Sequence, residues 1–426
     1  MPGQHCAPLG ALLLACAVQT AVAQTSPYLP LDDARLPLLE HLILRGDLED
    51  PSPMIRPFRL ADAARVLAAA DTAPDRGTGA LIRELRESVT EDTARARWSL
   101  AARLGGQAYT QKRRDPLHLG GARAANPYLD FTLQGVFGPV VGSTRPALDP
   151  RLIGDPDWPN TAQEHVTGRL VEGYLGVQFK YGAITYGQLD RNWGPAGLPG
   201  IAISDVGYER QGLALELGTD AVRLHAFASD LRRQRDSIGQ SVNRYFFAHR
   251  LEARLSRGVR LGVWETLIIQ GVGRGFETPF ANPLSPSVIA NSFGIADSGS
   301  NVMFGLDLTW SLGRRTRLQF QGGLDDFWFN DRRMRQDRWA YTVAGAGALG
   351  ARLGWYAWYT QASSLAFRTQ NPQENFADQG VGIGRNFSDM DQTRVAVAIP
   401  VARTWLITPD LTFQRQGEGR IGDPYP

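Results

Sequence analysis

The fold class that this sequence predicts is an all-β transmembrane barrel with a small α-helical region in front of it, and three observations predict it. From Ala94 onward apolar residues recur with period two, the spacing of a strand whose successive side chains face opposite sides. The second face of these strands is too polar for a packed core. Val302, Phe304, Leu306, Leu308 and Trp310 alternate with Met303, Gly305, Asp307 and Thr309, and Thr316, Leu318, Phe320 and Leu324 alternate with Arg317, Gln319, Gln321 and Asp325. Finally, the connections alternate in length. Tight turns fall near Gly182, Thr219, Gly258, Gly313, Gly354 and Ala402, and long connections include Gly271 to Ser300 and Ser363 to Asp391. A soluble sandwich gives the same alternation of faces. Strands of about ten residues, joined by short turns at one end and long loops at the other, instead favour an outer-membrane barrel.

Composition narrows the class further. The 426 residues carry a net charge of +2 with no basic footprint, which argues against a nucleic-acid partner. Charges are interspersed, and Gly and aromatic residues are plentiful, unlike a long disordered tail. Ala7 to Ala23 is an apolar, small-residue run that reads as a secretory signal peptide (residues 1–23) cut after Ala23, although no Lys or Arg precedes Arg35. Leu13-Leu14-Ala15-Cys16 suggests lipoprotein processing as the alternative. Both cysteines, Cys6 and Cys16, fall inside this segment, so the exported chain would have no thiol or disulfide chemistry. No later apolar run reaches the roughly twenty residues of a membrane helix.

Residues 24–93 read as a helical region on the periplasmic side. Asp32 and Asp33 can cap a first helix with Pro37 in its first turn, Gly46 beyond its end, and Leu39, Leu42 and Ile43 as its stripe. A second spans Leu60 to Ala70 with Leu60, Ala64 and Leu67 on one face, and a third lies near Leu81 to Val89. The expectation is a plug or cap packed on the next domain. The first two helices also resemble S-layer homology units, which implies contact with the cell wall and hence peptidoglycan as a partner.

Residues 94–426 are the barrel. Val171, Leu175, Val177 and Phe179 oppose Glu172, Tyr174, Gln178 and Lys180. A turn at Gly138-Pro139 adds a strand from Val140 to about Pro150, a poor one because Pro146 cannot donate to a ladder. The count is then about fifteen, and a barrel closing on its first strand needs an even number. With Gly417 to Pro426 loop-like, the expectation is either a C-terminally truncated barrel or a count off by one.

The stretch from Leu189 to Asp205 is too rich in Gly and Pro for regular structure, yet it joins two well-patterned strands. Trp193, with Asp190 and Arg191 beside it, combines a flat apolar face with groups that bond hydroxyls, the types that hold sugars. In the hairpin around Gly258 a three-residue loop pairs Arg250 with Thr266, Glu252 with Trp264 and Arg254 with Gly262, matching the lumen faces. A two-residue loop faces Arg250 with Glu265 but misaligns the apolar faces. In the first register Glu265 has outward parity, so it needs a bulge or a place beyond the apolar band.

Other clusters point away from catalysis. Asp325 and Asp326 are consecutive, hence on opposite strand faces, and cannot flank one bond. His225 has lumen parity near Asp230, and His249 neighbours Arg250 and Glu252, but no serine or aspartate is placed beside either histidine. No spacing suggests zinc. Trp158, Trp328 and Trp339 fall near long-loop rims, where an aromatic girdle is expected.

Several ordered pieces resemble the Wzi family of capsule-assembly outer-membrane proteins. They are Arg191-Asn192-Trp193-Gly194-Pro195 with Ala202-Ile203-Ser204-Asp205; His249-Arg250-Leu251-Glu252; Gly262-Val263-Trp264-Glu265; Phe304-Gly305-Leu306-Asp307; and Asp325-Asp326-Phe327. Tyr28-Leu29-Pro30-Leu31-Asp32-Asp33 and Arg56-Pro57-Phe58 fit the family's distant members. The chain departs from the pattern at Ala196, where the family tends to have Gly, and at Asp205, where Asn is common. The resemblance implies an occluded eighteen-stranded barrel with a helical periplasmic region that holds capsular polysaccharide at the cell surface like a lectin.

Together these readings give a non-enzymatic barrel that binds capsular or other extracellular polysaccharide without a cofactor or metal and sits among outer-membrane lipid. Asp190, Arg191, Trp193 and Asp205 are the candidate polysaccharide contacts. Arg250, Glu252, Glu265, Asp307 and Asp325 are the candidate lumen or rim network, with sugar binding as their alternative role. A porin-like sugar channel is the rival function, and an outer-membrane hydrolase a more distant one.

Overall fold

A computed structural model describes residues 25–72, 78–94, 98–108, 113–115, 118–119, 125–154, 167–286, 299–325, 338–402 and 405–422. The signal segment, Trp158, Asp326 and Trp328 lie outside the described residues.

Three helices come first: α1 (Leu36–Arg45), α2 (Leu60–Ala69) and α3 (Gly79–Ala94). Pro37 opens α1, and Gly46 closes it at φ 80°, its N–H on the Ile43 and Leu42 carbonyls. Glycine is required there twice over, since a Cβ would also fall 1.9 Å from the Arg314 carbonyl oxygen. The expected Asp cap does not form. The N-cap is Arg35; the Asp33 carboxylate accepts from the Arg35 N–H at 2.8 Å, and Asp32 turns away to Arg145. The three apolar stripes merge into one cluster that includes Leu39, Leu42, Leu60, Leu67, Ile82 and Leu85. Full burial of each such side chain is worth about 1.5–3 kcal/mol, which gives these short helices their own core.

Beside two short two-stranded pairs, Arg113–Asp115 with His118–Leu119 and Ala377–Asp378 with Val381–Gly382, the rest of the described chain is dominated by one sixteen-stranded antiparallel sheet. Its first half is β1 (Trp98–Ala108), β2 (Ala125–Phe137), β3 (Val140–Leu148), β4 (Gly168–Phe179), β5 (Gly182–Gln188), β6 (Gln211–Gly218), β7 (Val222–Arg235) and β8 (Ser241–Ser256). Its second half is β9 (Val259–Val272), β10 (Ser300–Leu312), β11 (Thr316–Asp325), β12 (Trp339–Leu349), β13 (Leu353–Ala362), β14 (Met390–Ala402), β15 (Trp405–Ile407) and β16 (Asp410–Gln416). Both β15 and β16 pair with β14, so they lie end to end in one strand position.

Burial along the strands separates a barrel from a sandwich. In β11 the polar residues are the hidden ones: Arg317, Gln321 and Asp325 are 9%, 1% and 1% exposed, while Leu324 is 46% exposed. Leu306, Val343, Leu411 and Phe413 are likewise exposed, one face apolar toward the surroundings and the other polar toward the interior. That is the reverse of a soluble domain. The chain has the fold of an outer-membrane β-barrel.

Two local expectations are corrected. Val171 faces inward, buried with Tyr128 and Ala147, because the register shifts between Arg145 and Pro146 and leaves Val171 as the extra residue on β4. The β8–β9 hairpin takes neither expected register. It pairs Arg250 with Trp264, Glu252 with Gly262 and Arg254 with Arg260, with a bulge at Leu255 before Ser256 meets Val259. The bulged residue restores the matching of lumen faces across a two-residue turn.

Candidate functional site

The lumen is filled in three layers, and each is fixed to the wall by side chains that the strand pattern points inward. At the tight-turn end sits the N-terminal region. Gln178 holds Ser26 by both its backbone groups, at 3.0 and 2.8 Å. Arg45 reaches the turn before β13, donating to the carbonyls of Ala351 at 2.9 Å and of Leu353. Asp50 lies between Arg56 and Arg317, each 3.2 Å away. Burial alone would raise the Asp50 carboxyl, but these two guanidiniums outweigh it and hold the pKa below the ordinary value.

The middle layer is the β5–β6 connection, which enters the lumen from the long-loop end. Its neck is closed by Gly200, where a Cβ would lie 2.0 Å from the Trp193 carbonyl oxygen, and by the Asn192 side chain. Asn192 donates to the Leu198 carbonyl and accepts from the Gly200 N–H, both at 2.7 Å. Gln321 of β11 also holds both sides of the loop, donating to Trp193 O at 2.7 Å and accepting from Ile201 N–H at 2.8 Å. The loop meets the N-terminal region directly: Arg56 and Asn192 exchange backbone hydrogen bonds at 2.8 and 3.0 Å.

The outer layer is the β13–β14 connection. Arg244 of β8 binds its carbonyls at Gln373 (2.6 Å), Asn375 (3.0 Å) and Ala377 (2.8 Å), and Asp325 accepts the Phe367 N–H at 2.8 Å. Ser204 joins this cap to the middle layer, its hydroxyl donating to Gly384 O at 2.5 Å and its N–H to Ile383 O at 2.9 Å. Neither Arg244 nor the cap stood out in the sequence; a lone arginine on a lumen face gives no sign that it will collect three carbonyls.

The predicted residues fall into two groups. Trp193 is 3% and Arg191 8% exposed. The Trp193 ring lies edge-on to His225 at 6.3 Å, and the Arg191 guanidinium sits 4.5 Å over Phe227 while donating to Leu189 O. Burial brings the Arg191 pKa down to about 10. Both side chains are thus buried inside the middle layer. Asp205 is exposed and Asp190 half-buried; burial and the Glu209 and Asp205 carboxylates push Asp190 well above its ordinary value.

The internal network contains Arg250, Glu252 and Asp307. Arg250 makes a bidentate pair with Asp307 at 2.9 and 2.8 Å and a third bond to Glu252 at 2.8 Å, and Arg260 closes the chain onto Glu252 at 2.7 Å. Asp325 is apart from it, in the cap. Glu265 keeps outward parity without a bulge; directly opposite it, His249 Nδ1 is 2.8 Å away. The wall two pairs further on, at Phe247 and Leu267, is covered by Phe280 from the helical turn Thr278–Ala281. His225 and Asp230 point to opposite faces, and among the described residues no cluster of His, Cys, Asp or Glu could hold a metal.

An outer-membrane β-barrel whose lumen holds three segments of its own chain is the class that this geometry defines. Among solved structures the chain is similar to Wzi, described as an Escherichia coli outer membrane protein involved in group 1 capsule assembly and as a carbohydrate-binding β-barrel. The TM-score is 0.66 at 14% identity, over 94% of this chain and 89% of that one. A loop-deletion mutant of the Vibrio cholerae outer membrane protein OmpT gives a TM-score of 0.40 at 11% identity, over 76% and 96% of the two chains. A mutant Rh. blastica porin gives 0.37 at 12%, over 74% and 94%. No family model and no curated protein matches the chain.

Proposed function

We propose that this protein is an outer-membrane barrel that binds and retains a capsular or other extracellular polysaccharide at the cell surface, without catalysis. The long-loop end faces outward and the N-terminal region lies in the periplasm, the orientation in which barrels keep short turns inside. The observation that carries the reading is the filling of the lumen: among the described residues, three layers tied to the wall occupy it and make a platform. At its outer edge Arg232, Arg233, Arg235 and Gln370 are exposed, and Gln373 bridges the cap to the Arg235 carbonyl at 3.1 Å. Such guanidinium and amide groups bond hydroxyls and carboxylates, and many weak contacts along one polymer add through multivalency. The likeness to a carbohydrate-binding barrel supports the same reading. A sugar channel has the same lumen polarity but needs an open path.

The test is a titration of the folded protein in detergent micelles with the producing organism's surface polysaccharide. Saturable binding that polymer fragments compete away, and that weakens at least about tenfold when Arg232, Arg233 and Arg235 are all changed to Gln, is expected. A folded barrel that binds no polymer would rule the reading out.

A further inference from the structure

A cavity lies at the tight-turn end of the lumen, between α1, the tip of the middle-layer loop and the wall from β11 to β15. Its volume is about 140 Å³, and it is lined by Glu40, His41, Leu198, Gln319, Tyr356 and Trp358. The walls behind these groups are small residues, Ala344, Ala346 and Ala398 among them, so the space is left by the sequence rather than by loose packing. An enclosed apolar cavity of about 150 Å³ holds one benzene ring; this one is of that order and opens partly to solvent, where the substituents of a larger ring can lie.

The lining chemistry is not that of an oil-filled void. Trp358 and His41 are 6% and 4% exposed, yet Nε1 of the indole and Nε2 of the imidazole have no hydrogen-bond partner. Buried polar atoms are normally paired, and two unpaired ones on one small cavity mark a place where a ligand supplies the partners. Glu40 spends Oε1 on Arg56 at 3.2 Å, while its Oε2 lies 3.6 Å from where a Cβ on Gly197 would stand. Gly197 has φ +74°, a conformation that lets the loop tip close over the carboxylate. Gln319 adds an amide, and Leu198 packs with Ala344 and Trp358 to form an apolar side. With Arg385 over the Trp358 ring at 5.5 Å, the indole offers its N–H, and that donor with one imidazole nitrogen, one carboxylate, one amide and the apolar Leu198 side is the recognition set for a ring with apolar C–H faces and a belt of hydroxyls.

We propose that this cavity binds a single neutral pyranose unit at the tight-turn end of the barrel, separately from any polymer held on the outer cap. The unit can be a free sugar or the end of a glycan chain, which share this chemistry. The site does not depend on the outer-cap reading, because none of its residues belongs to the cap.

The test uses the whole protein in detergent micelles, titrated with glucose, galactose and N-acetylglucosamine and read by calorimetry and tryptophan fluorescence, with acyclic mannitol as control. One-site saturation in the millimolar range by at least one pyranose, but not by mannitol, is expected. Ala346→Leu, which fills the cavity, should abolish it. Trp358→Phe, which keeps the ring and removes the N–H, should weaken it about tenfold. No saturation by any of the three sugars, or affinity unchanged in Trp358→Phe, would overturn the proposal, and the second variant decides should the first fail to fold. Wild-type sugar binding in a folded Ala346→Leu protein would also overturn it, by placing the site elsewhere. The outer polymer is titrated in parallel: sugar binding lost in the variants with polymer binding intact supports both sites, and polymer binding absent with sugar binding present removes only the outer-cap reading. An oligosaccharide of the same sugar that binds more tightly than the free unit identifies a chain end as the ligand.

Discussion

Arg250 shows how far single residues in this lumen depend on their partners. Its guanidinium is 2% exposed and satisfies Asp307 and Glu252 together. Arg250→Leu leaves Asp307 without its guanidinium and Glu252 with Arg260 alone, and should destabilise the barrel by about 3–5 kcal/mol. Adding Asp307→Leu should recover part of that loss, and heat-dependent gel migration of the two variants measures it; a single variant as stable as wild type would contradict the network. His41 makes a prediction about pH. Burial, with Arg45 adding to it, lowers its imidazole to about 4, so the folded chain keeps it neutral where an unfolded chain protonates it. The unfolded state then binds more protons between about pH 6.5 and about 4, and stability is full above that window and falls on acidification through it, by up to about 3 kcal/mol. His41→Asn should narrow the gap between thermal midpoints measured at about pH 7.5 and about pH 4.5. The inward parity of Arg250, Glu252, Asp307 and Asp325 was legible from the period-two pattern alone. Their partners were not, because a partner depends on register, and the bulge at Leu255 has no sequence signature.

Among the elements, the strands and their tight turns were readable because glycines at Gly138, Gly258 and Gly313 break a clear alternation. The destination of the long connections was not. Leu189 to Asp205 is recognisable as an ordered loop, but what buries Trp193 is Gln321 and Phe227, brought in by strands far along the chain. A loop written in Gly, Pro and small apolar residues reads the same whether it ends in solvent or inside a barrel. The cap makes the element-scale prediction. Arg244→Met keeps the length of the side chain and removes its three bonds to the β13–β14 connection, so that connection should become protease-sensitive while the strands persist. Limited proteolysis with mapping of the cut sites decides it; cleavage unchanged from wild type would mean that Asp325 and Ser204 hold the cap without Arg244.

For the whole molecule the prediction concerns passage. With all three layers in place, the protein should show no steady conductance in planar bilayers, whereas weakening the cap and the middle layer together, by Arg244→Met with Gly200→Ala, should produce openings. A stable open level in the unmodified protein would favour the channel reading. The fold was legible at this scale because long alternating strands are joined by short turns at one end and long loops at the other. The same layers also impose an order in time. The N-terminal region is bonded to wall residues 152, 267 and 306 positions away, at Gln178, Arg317 and Ala351. Contacts of that separation form late, since the intervening chain must first be ordered. The segment at the front of the chain is thus the last to find its place, and until the wall exists around it, its apolar helices need shelter from aggregation. On refolding into micelles, strand signal should rise before residues 25–72 become resistant to protease.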